Sequence, residues 1–89
     1  MKNQEFTIKS ERYVYFGGEI VNNELHLISE VYGEDWDSEQ HIDFSRKDTA
    51  KIFPKMTLEE FKEFCATNGT RGLDEFIKKN KLHPHIITI

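Results

Sequence analysis

Asn22-Asn23, set between Ile20-Val21 and Leu25, limits the folding of this chain more than any other feature. Asparagine tolerates the positive φ that a two-residue hairpin turn requires, and the flanking runs alternate as half-buried strands do. A turn this short fixes the register. Val21 falls opposite Glu24, which pairs Ile20 with Leu25, Phe16 with Ser29 and Val14 with Val31. One face then carries Val14, Phe16, Ile20, Leu25, Leu27 and Val31, the predicted core side. The other carries Tyr13, Tyr15, Glu19, His26, Ile28, Glu30 and Tyr32, with Gly17-Gly18 offering either a bulge or room for a neighbouring ring.

The apolar period changes once, near residue 45, from two to that of a helix. Upstream, Phe6 to Lys9 reads as a short strand or an extension of the first. Downstream of the hairpin, His41-Ile42-Asp43-Phe44 alternates as a third strand with Ile42 and Phe44 inward. Ser45-Arg46-Lys47-Asp48 fits the opening of a short helix that Pro54 limits, and Thr57-Leu58-Glu59-Glu60 is a capping box. A helix from Leu58 to about Thr67 follows, facing inward with Leu58, Phe61, Phe64 and Cys65. Asn68-Gly69 stops it, and a further helix from about Gly72 to Lys79 buries Leu73, Phe76 and Ile77 before Asn80. The end segment His85-Ile86-Ile87-Thr88-Ile89 has strand propensity and is expected to join the sheet. The predicted class is α+β: a three- to four-stranded, mainly antiparallel sheet built from an N-terminal hairpin and meander, two to three short helices on one face, and a C-terminal strand.

Eighty-nine residues suit one domain, residues 1–89, with a single modest core. Hydrophobic residues make up only 37% of the chain, yet seven phenylalanines supply enough bulk to fold without a cofactor or staple. No run is apolar enough to span a membrane, and Met1-Lys2-Asn3-Gln4-Glu5 lacks the apolar core of a signal peptide, so a cytoplasmic protein is expected. Cys65 is the only cysteine and cannot form an internal disulfide, which fits a reducing compartment.

Tyr32-Gly33-Glu34-Asp35-Trp36-Asp37-Ser38-Glu39 is the stretch that invites function, because it sets four carboxylates around the one tryptophan. A calcium loop of the EF-hand type is excluded by its spacing. Gln40 stands where the turn needs glycine, and Arg46 where a bidentate glutamate belongs. His26, His41, His83 and His85 do not have the spacing of a zinc site, and no cofactor is expected. Cys65 lies on the inward stripe of a phenylalanine-rich helix, where a thiol is a small hydrophobe rather than a nucleophile. A chain this small also has little depth in which to shift the pKa of one carboxylate of a pair, so no enzyme is predicted.

Charge divides where the period changes. Residues 1–44 carry a balance of −7 and residues 45–89 one of +3. An acidic sheet repels phosphate and suits a basic partner. The expected function is therefore a protein-interaction module of the inhibitor, immunity or phage-antagonist type. Its candidate contact residues are Tyr13, Tyr15 and Tyr32 on the outer face, with Glu34, Asp35, Trp36, Asp37 and Glu39 beside them. The alternative is a nucleic-acid-associated domain that sets Arg71, Lys78, Lys79 and Lys81 on phosphates, although lysines at a helix C-terminus also complement its dipole. A homodimer through the outer face is a third expectation, since a sheet with helices on one side leaves aromatics facing water.

Overall fold

The computed structural model describes residues 2–53 and 55–89. Five strands, β1 (Gln4–Glu11), β2 (Val14–Val21), β3 (Glu24–Tyr32), β4 (Asp37–Asp43) and β5 (His85–Thr88), form one antiparallel sheet in chain order. Helices α1 (Arg46–Ile52) and α2 (Leu58–Lys79) are inserted between β4 and β5. The class is α+β, with one more strand than the upper expectation for the sheet and a longer final helix.

Asn22 and Asn23 take φ values of 52° and 65°, and the β2–β3 ladder has the register those residues dictate: Val21 opposite Glu24, Ile20 opposite Leu25, Phe16 opposite Ser29, Val14 opposite Val31. β1 is a strand of its own. It pairs with β2, and the bulge lies in β1 between Thr7 and Lys9, not at Gly17-Gly18. Gly17 and Gly18 instead make room for side chains. A Cβ on Gly18 would press on Leu27 and on the Phe6 ring in the core, and one on Gly17 would strike Tyr15 on the outer face.

β4 starts at Asp37, four residues before the predicted third strand. The β3 ladder holds it to that point, through Ser29–Gln40, Glu30–Glu39, Val31–Ser38 and Tyr32–Asp37, although these β4 residues have poor strand propensity. At this end the sheet runs past its helices. Val31 is consequently exposed and Val14 half-buried, against their expected places in the core.

Ser45 caps α1 by accepting the Asp48 N–H at 3.2 Å, and the Thr57–Glu60 box closes with both bonds, at 2.9 and 3.1 Å. The two predicted helices beyond Thr57 form one element that breaks at Gly69, where φ is 65° and ψ −166°. Pro54, expected to limit α1, lies outside the described residues. At the end of α2 the left-handed position falls to Lys81, and the Leu82 N–H returns to Ile77 O at 3.0 Å.

The core joins Phe6, Phe16, Ile20, Leu25, Leu27, Ile42 and Phe44 of the sheet side to Phe61, Cys65, Leu73 and Ile77 of α2. Each large apolar side chain buried there contributes about 1.5–3 kcal/mol. Ile52 and Leu82 belong to it too, as do two polar residues, Asp48 and Thr49. Thr49 Oγ1 accepts the Leu25 N–H at 3.0 Å, and Asp48 Oδ2 accepts the His83 N–H at 2.7 Å. These bonds tie α1 to the sheet and to the segment leading into β5.

Candidate functional site

α2 lies along β1 and α1 along β3, both on the core side. The opposite side of the sheet is covered by no element among the described residues. β2, β3 and β4 hold six carboxylates, Glu19, Glu24, Glu30, Asp37, Glu39 and Asp43, and no lysine or arginine. All six alternate with the buried Ile20, Leu25, Leu27 and Ile42, so all point outward.

Two histidines lie against three of these carboxylates. His26 Nδ1 lies 2.7 Å from Asp43 Oδ1 and its Nε2 3.7 Å from Glu24 Oε1, while His41 Nε2 lies 3.3 Å from Glu39 Oε2. Glu30 and Glu39 face each other directly across β3 and β4. Partial burial on the sheet, followed by the charge and hydrogen bond of Glu39, raises the Glu30 pKa. Beside these groups is a shallow hollow of about 560 Å³, with Tyr15, Ile28, Glu5, Glu19, His26 and His41 around it.

At the end of the face, Gly33–Trp36 connects β3 to β4 in a turn shorter than the predicted loop, because Asp37, Ser38 and Glu39 belong to the strand. Gly33 N–H donates to Trp36 O at 2.6 Å, and the indole lies against bare backbone where a Cβ on Gly33 would collide with it. Trp36 is 59% exposed. Trp36 therefore does not fold back over the core. Tyr32 N–H donates to Tyr13 O at 2.9 Å, which brings the Arg12–Tyr13 turn alongside, and the Arg12 guanidinium sits 5.2 Å from the Tyr13 ring centroid. Tyr13, Tyr32, Glu34, Asp35, Trp36 and Asp37 thus gather at one end of the sheet. Tyr15 and Glu39 lie further along the outer face, in the row Tyr15–Glu30–Glu39.

Arg71, Lys78, Lys79 and Lys81 are exposed in the helical layer, with Asp74 and Glu75 one helical turn from three of them. Burial pushes the Cys65 thiol up to about 12, so it is not ionised at neutral pH. Among the described residues no group of three or more His, Cys, Asp or Glu is placed to hold a metal ion. The histidine–carboxylate pairs and the Glu30–Glu39 opposition depend on the β3–β4 register, which the Asn22-Asn23 turn does not set and which the residues alone leave open. Comparison of the chain with protein-family models, with curated proteins and with solved structures found no match.

Proposed function

We propose that the chain is a non-enzymatic protein-interaction domain that offers its outer sheet face and Trp36 turn to a basic surface on another protein. The observation that carries this reading is an exposed tryptophan at the end of a sheet face whose three central strands hold six carboxylates and no cation. Tryptophan and tyrosine supply most of the binding energy where they occur in interfaces, and a field of one sign speeds encounter and rejects wrong partners. Inhibitors, immunity proteins and phage antagonists that occupy a basic functional surface need this chemistry. Nucleic acid is a poor fit to the same face, because phosphate would meet carboxylates. It would have to use Arg71, Lys78, Lys79 and Lys81, whose field Asp74 and Glu75 reduce.

Arrays of lysine- and arginine-rich peptides, acidic peptides and random oligonucleotides test the reading. Retention of cationic peptides that weakens with salt and disappears in a Trp36→Ala, Asp37→Lys variant is expected. Oligonucleotide binding with a salt slope and no cationic-peptide binding would transfer the function to the helical layer and overturn the proposal.

A further inference from the structure

We infer that β5 is a pairing edge and that its occupant is β5 of a second copy of this chain, which doubles the five-stranded sheet about a two-fold axis perpendicular to it. Sheet edges present unpaired N–H and C=O groups and are normally defended by charge, proline or a bulge. The β1 edge has such defences in Glu5, Lys9, Glu11 and the bulge after Thr7. β5 has none of them. Among the described strands it is the one without an Asp, Glu, Lys or Arg, neither helix reaches it, and Ile86, Ile87 and the adjoining Ile89 are 44%, 44% and 73% exposed.

Charge selects a second copy at this edge rather than at the outer face. Two outer faces brought together would oppose carboxylates to carboxylates, whereas β5 meets its own copy without a like-charge pair.

The ladder also fixes how the copies meet. Ile89 and Glu39 exchange both backbone bonds, at 2.8 and 3.4 Å. By alternation Ile87 also bonds towards β4, so the N–H and C=O of Ile86 and Thr88 point to the open edge. Antiparallel pairing centred on Ile87 sets Ile86 against Thr88 of the second copy, and Thr88 against its Ile86. All four outward groups of each strand are then satisfied. Ile87 faces Ile87 in a non-bonded pair, where Cα atoms approach to about 4.5 Å. Pro84, which has no N–H to offer, follows the same outward parity and ends the pairing. The two acidic faces come to lie side by side as one surface.

Sedimentation of the 89-residue chain from micromolar to near-millimolar concentration tests the inference, alongside two variants. Thr88→Pro removes an edge donor while leaving the β4 ladder intact, and Ile87→Cys places two thiols within disulfide reach across the axis. The expected result is a concentration-dependent dimer that Thr88→Pro abolishes with unchanged circular dichroism, and rapid oxidative cross-linking of Ile87→Cys but not of an Ile89→Cys control. If Thr88→Pro fails to fold, the cross-linking pair decides. A wild-type chain that stays monomeric throughout overturns the inference. So does a dimer whose Ile87→Cys form cross-links no faster than the control, which would move the contact to the outer face or another surface.

Discussion

Asp48 shows how much one buried side chain contributes here: it is 5% exposed, begins in the first turn of α1 and holds the His83 backbone 35 positions away. Removing a buried acceptor leaves its donor without a partner, a loss of about 1–3 kcal/mol. Asp48→Ala should therefore lower stability to urea by about that amount, and Thr49→Val, which orphans the Leu25 N–H, should do so as well. Cys65 gives a pH-dependent counterpart. Its folded pKa lies well above the ordinary 9.0, so the folded chain holds the thiol proton more tightly than the unfolded one does. That contribution is complete below about 9 and is lost as pH rises towards about 12. A thiol reagent at neutral pH should accordingly react with Cys65 at the rate of unfolding, and Cys65→Ala should lessen the alkaline loss of stability.

Among the elements, α2 and the β3–β4 ladder each carry a local conflict that the whole fold resolves. Gly69 combines φ 65° with ψ −166°, a region open almost only to glycine, although a Cβ there would meet nothing within 4 Å. Gly69→Ala should thus destabilise through backbone strain alone, by about 1–3 kcal/mol in thermal or urea unfolding. Glu30 opposite Glu39 is the second conflict. The folded pKa of Glu30 is raised above 4.5, so the stability linked to its proton is full below 4.5 and fades as pH rises through the higher value. Glu30→Gln should be more stable than the wild type at neutral pH and should flatten this part of the pH profile. The elements differ in how far sequence could specify them. Asn22-Asn23 fixed the β2–β3 register because a two-residue turn admits one pairing, whereas Asp37-Ser38-Glu39-Gln40 hid the start of β4 because partner strands, not propensity, hold it in place. Asp48 and Thr49 follow Arg46-Lys47 in a polar first turn that carries no signal of burial, and only the docking of α1 on the sheet buries them.

At the scale of the molecule, the division of charge in the chain becomes a division between faces. The carboxylates of β2, β3 and β4 look outward, and the cations of α2 lie in the layer behind them. This separation was legible in the totals for the two halves of the sequence. That Trp36 stands in solvent was not, because a lone tryptophan is buried on average and only the tight Gly33–Trp36 turn holds it out. As the one tryptophan, Trp36 is also a reporter placed on the proposed binding surface. The most direct measurement is its fluorescence during titration with an arginine-rich peptide at low salt, in the wild type and in Asp37→Lys. A red-shifted emission that moves to the blue and saturates, weakens as salt rises, and is lost in Asp37→Lys is expected. An emission that stays constant in the wild type, or shifts equally in the variant, would contradict a cation-binding role for this face.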